Sequence, residues 1–299
     1  MINTAAIKDF VKPGLNAIFG DYPMYPSQWT QIFTRYTSDK AVEIDVEIKM
    51  LGLAQLRAEG ANTQYDSMGQ RYTTNYVSRY VGLGFMITRQ AIKDNLYKSR
   101  FPMQAKAMRQ SFEQTKEVQG AAVLNNGFDT NFPIGDRVAL FSVSHPRDGG
   151  LVLNRPSVAV DLNETSLEDA VIAIQIFRNA AGLRCMTKPK KVFVPPQQQF
   201  VIERLLASQF RVDSANNDVS AIVSTNAFPE GYAVNQFLTD TDAWFVKTDA
   251  PDGFKYFERE PFETDMYTDP DNDNLKVRGI ERYAFGVSNF RCGYASPGA

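Results

Sequence analysis

The 299-residue chain contains one histidine, His145, and so one imidazole able to act as a general base near neutral pH. Ser142 and Ser144 precede it and Pro146 follows, so a hydrolase would have to be built on this loop. Such an enzyme also needs a positioned acid and an oxyanion hole, for which the sequence offers no motif. There is no GxSxG elbow, no GxxxxGK[ST] loop and no GxGxxG turn. Cys185 and Cys292 are the only thiols, and with His145 they cannot fill a four-ligand zinc site without carboxylates. The run Asp269-Pro270-Asp271-Asn272-Asp273 opens like a calcium loop, but Asn274 stands where Gly is needed and Ile280 where a bidentate Glu belongs. It reads as a polar turn between strands. Lys188, Lys190 and Lys191 suit a guarded sheet edge better than a phosphate site. Tyr72, Tyr76 and Tyr80 suit packing across a hairpin better than base stacking. The residues therefore predict no catalytic group, no cofactor and no metal, with a hydrolase using His145 as the one enzymatic alternative.

The elements that would position these residues are extended ones. Composition is ordinary for a globular chain, with 43% hydrophobic and 22% charged residues and a net charge of -2, which excludes a basic nucleic-acid coat acting by counterion release. Two distant cysteines exclude a disulfide scaffold and suit a reducing compartment. No signal peptide is expected, and no apolar run approaches bilayer length, so no membrane partner is expected. Charge is uneven: residues 1–125 carry 15 basic and 11 acidic side chains, residues 126–299 carry 17 and 23. Opposite-signed parts of one chain can steer copies to pack side by side.

Residues 1–40 read as an irregular arm, broken by Pro13, Pro23 and Pro26 and rich in aromatics such as Tyr22, Tyr25 and Trp29. Val42, Ile44, Val46, Ile48 and Met50 then alternate with Glu43, Asp45, Glu47 and Lys49, the pattern of a strand with one buried and one solvated face. A second alternating run, 76–87, is expected to pair with it antiparallel, and the unpatterned 51–71 segment between them reads as a projection. Thr88 caps a helix expected to break before Pro102, and a long helix follows from Pro102 to Leu124, stopped by Asn125-Asn126-Gly127. Thr165-Ser166-Leu167-Glu168 is read as a capping box opening a helix that ends near Gly182. Strands are expected at 191–194, 234–238 and 243–247, a helix at 197–208, and two long tail strands at 257–267 and 275–290. The sum is an α+β chain without βαβ alternation. Its extended parts cover surface without enclosing it, which suits a subunit built to touch its own copies.

The order of parts resembles the major capsid protein of tailed bacteriophages, the Hong Kong 97 fold, in the branch of Mu-like major head proteins. The resemblance is carried by Trp29–Glu47, by the 51–71 loop running into Tyr76–Thr88, and by Leu140–Pro146. Further matches are Lys191–Pro196 with its following helix, Ala243-Trp244-Phe245-Val246, and the tail Lys276–Ala295. It implies an N-terminal arm (1–40), an extended-loop hairpin (41–88), a peripheral domain with a long spine helix (89–189), an axial domain (190–255) and return strands of the peripheral domain (256–299). On this reading the protein self-assembles as pentamers and hexamers of an icosahedral shell. Leu53, Gln55, Arg57, Glu59, Gln64, Tyr65, Asp66 and Arg71 of the loop, with Tyr22, Tyr25 and Trp29 of the arm, touch neighbouring subunits.

The same resemblance implies further partners: a separate scaffolding protein, a cement or decoration protein, a portal, and packaged double-stranded DNA held on the inner face without sequence specificity. Assembly is expected in the host cytoplasm and residence in the virion. Some relatives crosslink through a lysine on this loop, but residues 51–71 contain none, so a noncovalent shell is expected. An encapsulin-type protein compartment of the same fold is the nearest alternative.

Overall fold

The structure, a computed structural model, describes residues 26–94, 97–210 and 218–299. In chain order, a short helix α1 (Trp29–Ile32) leads into strand β1 (Thr34–Thr37), followed by β2 (Val42–Lys49), β3 (Gly69–Val77) and β4 (Arg79–Ile87). Helices α2 (Arg89–Lys93) and α3 (Tyr97–Asn125) come next, then the short strands β5 (His145–Arg147) and β6 (Gly150–Val152). Helix α4 (Glu164–Gln175), strand β7 (Pro189–Val194), helices α5 (Gln199–Ala207) and α6 (Ala221–Ser224), and strands β8 (Tyr232–Val234) and β9 (Trp244–Thr248) follow. The chain closes with β10 (Phe254–Thr268), β11 (Leu275–Val287) and β12 (Gly293–Ser296). It divides into two compact units, one of residues up to Glu43, Val77–Gln119 and Tyr256–Ala284, the other of Ile44–Tyr76, Gly120–Lys255 and Phe285–Ala299.

The first unit is built on a sheet of order β1-β10-β11-β4. Along α3, Ala105, Met108 and Phe112 recur at helical spacing and bury against Ile87, Met266 and Val277. The Phe112 ring meets Phe262 edge-on at 4.9 Å. Gly279 makes this possible, since a Cβ there would lie 2.8 Å from the Phe262 ring and 2.9 Å from that of Phe112. Glu117 of α3 accepts from the backbone amides of Gln28 and Trp29 at 2.7 and 3.0 Å, which pins the start of α1. The second unit is built on a sheet of order β12-β9-β7-β8, with Val192, Val194, Trp244 and Val246 packed against Leu167 and Ile174 of α4 and Ile202 of α5.

Several expectations need correcting. The 42–50 run pairs with β3, and the second alternating run pairs instead with the tail strand, Phe85 opposite Val277 and Val81 opposite Glu281. Strand β3 was hidden because Gln70, Arg71, Thr73, Thr74 and Asn75 lack apolar alternation. The long helix runs through Pro102, whose ring holds a helical φ and removes only one hydrogen bond near the helix start. The box on α4 is formed by Asn163 and Ser166 rather than Thr165 and Glu168, Asn163 being a strong cap two residues earlier, and α4 ends at Gln175, before Gly182. Strands β7 and β8 are parallel with α5 and α6 between them, so one βαβ crossover is present after all.

Candidate functional site

The hairpin formed by β2, the segment 50–68 and β3 departs from the ordinary logic of an amphipathic strand. The charged side of β2 is the half-covered one. Asp45 takes an ion pair from Lys255 at 2.7 Å and accepts from the Ser288 hydroxyl. Glu47 meets Arg291 at 3.2 Å and Arg71 at 3.8 Å. Lys49 meets Asp148 at 2.8 Å, and this hydrogen bond holds the Asp148 carboxyl below its ordinary value while raising Lys49. The apolar side, Val42, Ile44, Val46, Ile48 and Met50, is bare, with Ile44 59% exposed. Charges with good partners on one side settle which face turns inward when the other face meets nothing among the described residues.

Residues 50–68 form neither helix nor strand, and all of residues 51–70 are exposed. Asp66 accepts from the amides of Gly52 and Ser67, each at 2.8 Å, and these bonds lower its titration. Arg57 donates to the Thr63 hydroxyl at 2.8 Å, and Gly60, at φ +80°, makes the turn between them. Leu53, Gln55, Arg57, Glu59, Gln64, Tyr65 and Asp66 all lie in this segment, Leu53 80% and Tyr65 94% exposed. Leu56 and Met68 are exposed too and were missed, although isolated apolar side chains in a polar loop are a readable signal. Arg71 does not lie in the loop: it sits in β3 with its guanidinium turned onto Glu47, Asp148 and the Pro146 carbonyl. Trp29, expected to touch a neighbour, is buried, its ring packed at a tilt against that of Tyr256 with centroids 4.4 Å apart. Tyr22 and Tyr25 lie outside the described residues.

His145 is fully buried. Its Nδ1 lies 2.6 Å from Asp136 Oδ2 and its Nε2 3.1 Å from Asn154 Oδ1, and its ring stacks on Phe290 at 3.9 Å. The Asn154 amide in turn donates to the carbonyls of Leu140, Phe290 and Gly293. Both imidazole nitrogens are thus engaged by structural partners, and the group bolts the 136–154 segment to the tail. Of the acidic run, Asp269 is held by Lys276 at 2.6 Å and Asp273 by Arg89. Among the described residues no group of His, Cys, Asp and Glu could hold a metal, and no helix is long and apolar enough to cross a membrane.

A family model described as phage capsid protein matches residues 71–296. The chain belongs to the phage capsid protein family. The match begins inside β3, so β2 and the bare loop lie ahead of it. Solved structures carry the same fold at low identity. A Microbacterium phage Oxtober96 chain is 13% identical with a TM-score of 0.57, covering 92% of this chain and 93% of that one. The capsid of Myoviridae phage XM1 is 10% identical with a TM-score of 0.55, covering 93% and 94%. A virus-like particle from Pyrococcus furiosus is 10% identical with a TM-score of 0.53, covering 96% and 98%. None of the curated proteins matches the chain. The fold is of the Hong Kong 97 type, and this capsid protein is a structural subunit that associates with its own kind in the shell of a virion.

Proposed function

We propose that copies of this capsid protein join as pentamers and hexamers into an icosahedral shell around double-stranded DNA, with the hairpin of β2, the 50–68 loop and β3 reaching a neighbouring subunit. The observation that carries this reading is the bare apolar stripe from Val42 through Met50 to Leu53 and Leu56. Contiguous exposed aliphatic surface is disfavoured in water at about 25 cal/mol per Å² and marks a surface that becomes covered. Leu53, Gln55, Arg57, Glu59, Gln64, Tyr65 and Asp66 then supply the contact, joined by Leu56 and Met68. Helix α3 serves as the spine of the peripheral part, residues 190–255 gather around the symmetry axes, and the arm contacts come from residues ahead of Trp29.

The contacts are noncovalent, because residues 51–71 offer no lysine for an isopeptide bond, and a ladder of covalent oligomers on a denaturing gel would refute that. A separate scaffolding protein, a portal and a cement protein complete the assembly in the host cytoplasm. Deleting residues 53–69 is expected to leave soluble subunits or capsomers and to abolish closed particles by electron microscopy. Normal-sized particles from the deletion would overturn the assignment.

A further inference from the structure

At the root of the hairpin, cations outnumber anions. Lys49 at the end of β2, Arg71 in β3, Arg147 in β5 and Arg291 before β12 gather around Glu47 and Asp148. Asp66 lies further out and feels Lys49 and Asp148 through space. Among the described residues, only two of these four cations have a carboxylate within hydrogen-bonding distance: Arg291 with Glu47 at 3.2 Å and Lys49 with Asp148 at 2.8 Å. Arg71 stands 3.8 Å from Glu47 and 3.9 Å from Asp148, too far for a hydrogen bond. Arg147 donates to the carbonyl of Asp148, and Arg291 to that of Arg178.

Three guanidinium N–H groups of this set, Arg71 Nη1, Arg147 Nε and Arg291 Nη2, are buried without an acceptor among the described residues. Buried donors are almost always paired, so an orphaned set of this size in one cluster asks for a missing acceptor. The cluster is also built around Arg147. A Cβ at Gly150 would lie 2.9 Å from its Nη2, and one at Gly182 3.4 Å from its Nη1, so two glycines leave the guanidinium its seat.

We propose that this cluster binds an oxyanion, supplied in the shell by an acidic side chain from a second copy of the chain. The inference rests on the self-assembly proposed above. Depth decides against a nucleic acid: the side chains of Arg71 and Arg291 are only 12% and 7% exposed, recessed too far for the phosphates of a stiff duplex but within reach of one carboxylate. Supply favours a second copy, since residues 126–299 carry 23 acidic side chains against 17 basic ones. The entering carboxylate would displace Asp148, 47% exposed at the rim, from Arg71 and pair with Arg71 and Arg147 through their paired N–H groups.

Inorganic phosphate shares the oxyanion chemistry and serves as the probe. Unassembled full-length subunits are expected to melt at least about 3 °C higher in phosphate than in chloride of equal ionic strength. Arg147→Gln should abolish that rise, melt normally without phosphate, and lower the yield of shells at least about tenfold. Should Arg147→Gln fail to fold, Gly150→Ala tests the same point by pushing the Arg147 guanidinium off its seat. Because a neighbour's carboxylate competes for the site, phosphate should slow shell formation by the wild-type chain. Acceleration by phosphate would overturn the carboxylate as the natural occupant and leave a site for a free anion. Wild-type subunits that respond alike to phosphate and chloride, or shells formed normally by both variants, would overturn the site altogether. A chain that never forms shells under any condition would count against the proposed function instead.

Discussion

Strand β2 and the first half of β11, residues 275–279, both alternate charged with uncharged residues at period two, yet they turn opposite sides inward. Strand β11 buries Val277, Gly279, Glu281 and Tyr283 and leaves Lys276, Arg278, Ile280 and Arg282 on the more open side. Strand β2 half-covers Glu43, Asp45, Glu47 and Lys49 and leaves four aliphatic side chains bare. The difference lies in what each strand has to pack against. In β11 the closed side meets Met108 and Phe112 of α3, so hydrophobic burial is satisfied within one chain. In β2 the charged side meets Lys255, Ser288, Arg291, Arg71 and Asp148, and these select it as the inward one. Period two therefore reports a face but not its cover, which for β2 the proposed function places on another copy of the chain.

Two substitutions test this contrast. Phe112→Ala opens a cavity under β11 and is expected to cost about 3–5 kcal/mol of stability, read from urea unfolding. A loss below about 1 kcal/mol would mean that the closed side is not closed. The double substitution Ile44→Asp with Ile48→Asp should leave the urea midpoint of the subunit within about 0.5 kcal/mol, as for exposed positions in general. It should cut closed particles at least about a hundredfold, equivalent to about 2.8 kcal/mol of assembly free energy. Unfolding of the double variant would show that the stripe is covered within its own chain.

The same contrast explains what could be read in advance. Strand β2 and both tail strands were legible because their alternation is long, and the end of α3 because Asn125-Asn126-Gly127 is a strong stop. Strand β3 was not, since its polar residues are held by the backbone ladder and by neighbours such as Arg71, whose partners Glu47 and Asp148 are 24 and 77 positions away in sequence. Trp29 read as an arm residue touching a neighbour because nothing local reveals that Glu117, 88 positions on, will accept its amide. Exposure of the 50–68 loop was legible from its lack of any period. The inward turn of the acidic side of β2 was not, because it depends on cations brought from β3, β10 and the tail.

Buried charge separates the two regions a last time, through pH. Glu281 on the closed side of β11 is 1% exposed with Lys116 at 2.8 Å, and burial raises its titration above the ordinary value of 4.5 while Lys116 pulls it partly back. A folded-state value above the unfolded one means that the folded chain holds the proton more tightly, so stability falls as pH rises between the two. Asp148 at the hairpin root behaves oppositely: Lys49 holds it below 3.8, so its contribution is present above that value and is lost as pH falls. Urea midpoints followed from pH 3 to pH 8 should thus separate wild type from Glu281→Gln increasingly as pH rises past about 4.5. Wild type and Asp148→Asn should separate in the other sense, converging as pH falls below about 3.8. Glu117, also raised by burial, is common to all three chains and drops out of each difference. Parallel curves for Glu281→Gln and wild type would show that the carboxyl under α3 is solvated, and would remove the distinction between the closed sheet and the open hairpin at its most sensitive point.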